Sequence, residues 1–414
     1  MRQGQADRWI DKILDQSSPV RPSHPQEMEL ARLLVRVCYE NRTLSPERVG
    51  VLLASAFDLL VAAQYYGAIS HAGWLYCPTG TPRLYFHYTN CCPRDVLRDE
   101  FHFHPCNKPE SGRIGTATSR LLLLFYKAIF EHHGRRVSVL RGSEPVDAVV
   151  VDHEKRKVLF AEIKASPLVT PALSGESQRL TIEKDGEAVG RQHSPVDNTA
   201  LFGFPLQILI PRKKTGSGWG EGYYTIGNRR DKEDWAWGYR GLCKLLTEDA
   251  NFLSTYFTFW REALASYHPK VTRSVFWLTN ACGTPTPLPE SWPQRRRGEG
   301  FESVSDSKTS VGMDRTDDIK KGIYQVLKLG SVGKPGAAKW EYKTGLISNI
   351  HAARHFDEYL ESIKDIVWTI DVTGKATKTS DLPEGQHLYN LFDGIVALTH
   401  TFARNEWIES LFTL

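Results

Sequence analysis

Apolar residues of this chain change period around a single central segment. Behind the turn- and cap-forming Pro109-Glu110-Ser111-Gly112, apolar positions recur at helical spacing from about residue 114 to 133, which predicts a long amphipathic helix closed by Gly134. The period then shortens to two. Arg135-Arg136-Val137-Ser138-Val139-Leu140 reads as a strand and Arg141-Gly142-Ser143-Glu144 as a turn. Residues 145–152 form a β-branched strand, and after the charged turn at 153–157 residues 158–165 form its antiparallel partner. Elsewhere the pattern predicts helices over 46–66, 235–267 and 317–329, strands at 274–278 and near 345–348, and a mostly helical end from 351 around a strand at 366–372. No internal repeat or low-complexity tract interrupts it.

Three polar residues are set into the central hairpin. Asp147 opens one strand, while Glu162 and Lys164 close its partner, two apart and therefore on one face. Two carboxylates and an ammonium on an otherwise apolar hairpin suit a divalent cation with oxygen ligands, magnesium above all. Such an ion polarises a phosphodiester and helps generate hydroxide, and the lysine can orient that water. Other catalytic patterns fail: the chain has no P-loop, no H-E-x-x-H and no G-x-S-x-G. His132-His133 read as the polar end of the long helix, where they favour its C-terminal dipole.

Pro145-Val146-Asp147, followed after residues 148–161 by Glu162-Ile163-Lys164, resembles the metal-binding hairpin of the PD-(D/E)xK nuclease superfamily, and within it the type II restriction endonucleases. Val146 is one residue more than that pattern carries between proline and aspartate. The resemblance is close over residues 112–166. It implies a mixed α/β (α+β) fold, a restriction-endonuclease-like central sheet flanked by helices, and magnesium-dependent, sequence-specific cleavage of double-stranded DNA. Asp147 and Glu162 would be the magnesium ligands and Lys164 the residue assisting the water. A further carboxylate from the preceding helix would be Glu110 or Glu131. Cutting both strands of a palindrome from one such centre per chain implies a homodimer.

A core of this kind needs one more helix and strand. Asp306-Ser307-Lys308 precedes the helix carrying Gln325, and two arrangements are open: a second metal centre, or completion of the first core after a long insertion. The second is preferred, because no aspartate-bearing strand pairs with Asp306 at a suitable distance.

Seven cysteines occur, and Cys77, Cys91, Cys92 and Cys106 crowd into one short β-rich segment with His87, His102 and His104. In a reducing compartment these four thiols predict structural zinc, against the alternative of buried, inert cysteines. Cys38, Cys243 and Cys282 read as core. The N-terminus lacks the apolar stretch of a signal peptide and no apolar run approaches the ~20 residues of a spanning helix, so a cytoplasmic location is expected. A net charge of +4 permits a nucleic-acid partner without requiring one. Phosphate contacts are expected at Arg212-Lys213-Lys214, at Arg295-Arg296-Arg297 and at Lys308, with tryptophans such as Trp219 and Trp292 nearby.

The resulting division is a helical region (1–73), a zinc-binding β module (74–108), a nuclease core (109–350) with a DNA-reading insertion at about 170–303, and a C-terminal helical region (351–414). Two other functions remain open: a repair or defence nuclease acting on ends or branches, and a zinc-containing DNA-binding protein that does not cut.

Overall fold

The structure, a computed structural model, describes residues 4–41, 46–70, 73–102, 106–109, 111–176, 193–194, 202–268, 274–282, 311–314, 316–335, 337–370, 376–377 and 388–412. Its helices of seven residues or more are α1 (Gln5–Gln16), α2 (Pro25–Glu40), α3 (Pro46–Gly67), α4 (Ser111–His132), α5 (Trp237–Glu248), α6 (Phe252–Tyr267), α7 (Thr316–Gly333) and α8 (Glu406–Phe412). A seven-stranded mixed sheet holds β1 (Ser18–Pro19), β2 (Ser138–Arg141), β3 (Ala148–Asp152), β4 (Lys157–Lys164), β5 (Glu341–Ser348), β6 (Gly394–Ala397) and β7 (Thr401–Ala403), in that spatial order. β1 to β4 run antiparallel, β5 and β6 continue parallel to β4, and β7 turns back.

Alternation along β4 decides what covers each face. Leu159, Ala161 and Ile163 share a core with the apolar side of α4, including Leu121, Leu122 and Phe125. Val158 and Phe160 point the other way, to Ile10 and Ile13 of α1 and Leu329 of α7. Glu162 and Lys164 continue that second row. α7 approaches closely because position 322 is glycine. A Cβ there would lie 3.0 Å from Leu346 Cδ2, with Glu162 Cγ 4.0 Å away.

The helix and strand after the insertion therefore complete the central sheet. β5 pairs with β4 over its whole length, Glu341 with Lys157 through Ser348 with Lys164. A buried ion pair fixes the end of α7 against it: Lys334 meets Asp393 at 2.7 Å, and Asp393 accepts the Thr344 N–H.

Four expectations are corrected. The 74–108 segment is not a module of its own. Strands Trp74–Cys77 and Arg83–Phe86 lie in a six-stranded antiparallel sheet with Leu173–Glu176, Leu206–Leu209 and Tyr223–Gly227 of the insertion, and with His193–Ser194 at its edge. The 235–267 helix is broken in two, with Asp249 oxygens accepting the Asn251 and Phe252 N–H groups at the break. Ser274–Leu278 is a 3-10 helix rather than a strand, packed against α6. The C-terminal region is less helical than its pattern suggests, since it supplies β6 and β7. By composition α3 is long enough to cross a bilayer, but most of that stretch is buried inside the fold.

Asp58 of α3 ties the parts together. One of its oxygens accepts the Leu168 and Val169 N–H groups, both at 2.9 Å, and the Trp260 indole N–H at 2.6 Å. Its other oxygen has no hydrogen-bond partner among the described residues. Burial pushes this carboxyl up to about 8, against the pull of its three donors. The folded value lies above the unfolded one near 3.9, so the stability it contributes is complete below about pH 4 and lost as pH rises through about 8. Denaturant unfolding across that range should show the unaltered chain losing stability relative to Asp58→Asn, which keeps an acceptor but does not titrate. Asp58→Ala should cost roughly 3 kcal/mol or more at every pH, because three buried donors lose their acceptor. Parallel pH curves for the unaltered and Asn chains would refute the buried neutral acid.

Candidate active site

The hairpin β3–β4 brings Asp147, Glu162 and Lys164 together. Asp147 occupies the bend just before β3, and the register pairing Ala148 with Ala161 sets it beside Glu162. Its Oδ2 accepts the Ile163 N–H at 3.1 Å, which holds the carboxylate at the strand edge. Lys164 Nζ donates to Glu162 Oε1 at 2.7 Å. Glu162 is 8% exposed while Asp147 is open to solvent, so one carboxylate is walled in and the other faces outward.

That arrangement is electrostatically expensive. Burial, then the neighbouring Asp147 charge, push the Glu162 carboxyl up to about 7, against the pull of Lys164. Two carboxylates this close do not both ionise cheaply without a compensating cation. A divalent ion with oxygen ligands would satisfy both, and the donor set suits magnesium or manganese better than softer metals.

The backbone around the site is fastened from several sides. Thr118 of α4 donates its hydroxyl to the Ala165 carbonyl at 2.7 Å. Just past β5, the Asn349 side chain binds Ser166 reciprocally, accepting its N–H at 3.2 Å and donating to its carbonyl at 2.9 Å. These contacts fix the strand end carrying Lys164, and the sequence reading missed both residues. Nothing in their local sequence marks them, since each acts across a long separation in the chain.

No family model, curated protein or solved structure matches this chain. The site therefore rests on its own geometry.

Of the two acidic residues considered on the preceding helix, Glu131 pairs with Arg32 at 2.9 Å. It lies roughly 20 Å along α4 from Thr118, the point where that helix meets the site. Glu110 lies outside the described residues, as do Arg295, Arg296, Arg297, Asp306, Lys308 and Trp292. Gln325 sits on α7 one turn beyond Gly322, with its side-chain oxygen buried and without a hydrogen-bond partner among the described residues. Arg212, Lys213 and Lys214 are exposed. Arg212 lies over the Tyr224 ring at 4.9 Å, and Lys213 pairs with Glu262 at 3.3 Å.

The thiol cluster differs from its expected composition. Cys77 and Cys92 meet each other and Asp95, with Cys77 Sγ 3.7 Å from Asp95 Oδ1. A hydrogen bond from Cys92 holds the Cys77 thiol below its ordinary value, while burial pushes Cys92 up. Cys91 and Cys106 do not join this group; both instead come near Cys282. Adjacent residues in extended chain point to opposite sides, so Cys91 and Cys92 could not both reach one ion easily.

The proton on Glu162 competes with any cation held there. Added magnesium or manganese should raise the thermal unfolding temperature of the unaltered chain, and the rise should grow from about pH 5.5 to 8 as that proton leaves. Asp147→Asn and Glu162→Gln should abolish the rise. An equal rise in both variants would place the cation elsewhere.

Proposed function

We propose that this chain is a magnesium-dependent DNA endonuclease of the PD-(D/E)xK kind, cutting at specific sequences as type II restriction endonucleases do. The observation that carries the reading is the convergence of Asp147, Glu162 and Lys164 on one face of β3–β4, with the Lys164–Glu162 contact at 2.7 Å. The order of elements supports it: a helix, an antiparallel three-strand meander, then a helix and a strand parallel to the third. That is the minimal layout the sequence resemblance calls for.

In this reading Asp147 and Glu162 hold the magnesium ion, which when bound supplies Lewis-acid activation of the phosphate and of a water. Lys164, fixed at the end of β4 by Thr118, Asn349 and the pairing with Ser348, orients that water and carries positive charge where the transition state gains negative charge. The exposed run Arg212-Lys213-Lys214, whose first two residues form a short strand, gives the phosphate backbone of DNA a basic contact. A homodimer working in the cytoplasm would present two such centres to a palindrome.

One observation favours a rival. Lys164 already closes on Glu162, as in an inert structural ion pair, and a non-catalytic DNA-binding protein would look the same. Cleavage of unmethylated plasmid and phage DNA with magnesium or with EDTA separates the readings. Discrete magnesium-dependent fragments, reduced ~10²-fold or more by Asp147→Ala and by Lys164→Ala, are expected. Smeared products would point to a repair or defence nuclease acting on ends or branches. Tight DNA binding with no cleavage under any divalent ion would sink the catalytic assignment.

A further inference from the structure

A second cluster of metal-ligating side chains lies at the head of the six-stranded sheet, and it is independent of the nuclease reading. Cys77 is the last residue of its strand, paired with Arg83 across the hairpin. Cys92 immediately precedes the helical turn Pro93–Val96, so Asp95, three residues on, shares a face with it. The chain then reverses at Asp99, whose φ of 58° is in the left-handed region, and the Glu100 N–H bonds back to the Asp95 carbonyl. This reversal returns His102 to the cluster. Its carbonyl accepts the Cys92 N–H at 2.8 Å, and its Nδ1 meets Asp95 Oδ2 at 3.0 Å.

The geometry points to a structural zinc site formed by Cys77, Cys92 and Asp95, with His102 as the fourth ligand. Ligand atoms of the first three all lie within 4.8 Å of one another, and all three residues are buried; His102 joins through Asp95, in a second group of the same span that holds Asp95, Glu100 and His102. With the usual zinc–sulfur and zinc–oxygen lengths, the sulfur–oxygen edge of a tetrahedron is about 3.6 Å. The Cys77–Asp95 contact is 3.7 Å. Two sulfurs exclude magnesium and calcium, which take oxygen ligands, while a carboxylate and an imidazole complete a set that zinc accepts. Binding would displace both thiol protons to solvent and leave two thiolates on the metal, with no change of oxidation state.

The reason for a metal here is local. The turn carrying Cys92 and Asp95 is a single helical turn, too short to hold itself, and the strand ending at Cys77 has four residues. Arg94, between the two proposed ligands, faces away and binds the Thr79 and Thr81 carbonyls and Glu221. The turn is thus gripped by the arginine on one side and by the metal on the other.

The test needs no activity assay. Metal analysis of the full chain, purified without chelator and reconstituted with zinc, should find about one tightly held zinc. Cys77→Ser, Cys92→Ser and Asp95→Asn should each lose it, and His102→Ala should weaken it tenfold or more. Cys91→Ser and Cys106→Ser should retain it. Should the ligand variants fail to fold, cobalt replacement in the unaltered chain still decides, because thiolate ligation gives a sulfur-to-cobalt charge-transfer band in the near ultraviolet. Absence of zinc and of that band, zinc lost through Cys91 or Cys106 instead, or a Cys77–Cys92 disulfide in the native chain would each overturn the assignment.

Discussion

The central sheet and the candidate site hang on the parallel pairing of β4 with β5. Residues 165–340 separate the two strands, so the contact is formed at the expense of closing a very long loop. What offsets that cost is distributed. Phe160 and Tyr342 meet edge to face at 5.2 Å beneath Trp9 of α1, Lys157 pairs with Glu341 at 2.9 Å, and Asn349 and Ser166 clasp the far end. Without this pairing β4 would be an edge strand, and α7, which leads directly into β5, would have nothing to lie on. Glu162 would then be solvated and its charge ordinary. The chemistry of the site is thus a consequence of a contact made far away in the chain.

Two buried carboxylates show how partners decide a role. Asp58 receives three N–H donors and lies among apolar and aromatic side chains, so burial raises its carboxyl and the group serves as a structural hub. Glu162 receives Lys164 on one side and repulsion from Asp147 on the other. Its environment holds a charge that the protein alone compensates only in part. The first arrangement gains nothing from a cation, whereas the second is improved by one.

How far the sequence discloses this depends on distance along the chain. The hairpin and its three polar residues are legible because period-two alternation and a tight turn lie within a few residues of each other. The helix and strand completing the sheet are legible as elements, and their place follows once a core is known to lack them. The six-stranded sheet is not legible: strands of four residues, Arg83–Phe86 and Leu173–Glu176, pair across the boundary drawn between a β module and an insertion, and no local pattern announces such partners. Ser274–Leu278 has the β-branched and aromatic composition of a strand, yet packing against α6 and the turn at Pro93–Val96 takes it into a 3-10 helix. Among the cysteines, proximity in sequence misled. Cys91 and Cys92 face opposite ways, and Asp95 is the buried carboxylate on the Cys92 side.

The segment joining the two sheets shows why the candidate site and the second sheet form one mechanical unit. It follows Lys164 and runs through residues 165–172 to the start of the strand Leu173–Glu176. Between them Thr118 holds Ala165, Asn349 holds Ser166, Asn280 holds Pro167 and Thr170, and Asp58 holds Leu168 and Val169. Backbone groups of residues 165–169 are thereby held by four side chains from other parts of the fold, and the segment is a strut rather than a hinge. The strut leads directly from the end of β4 into the six-stranded sheet, whose strand Trp74–Cys77 ends at Cys77. Stiffness there matters to the role proposed for Lys164, because a lysine orienting a water would lose its effect when displaced by about 1 Å.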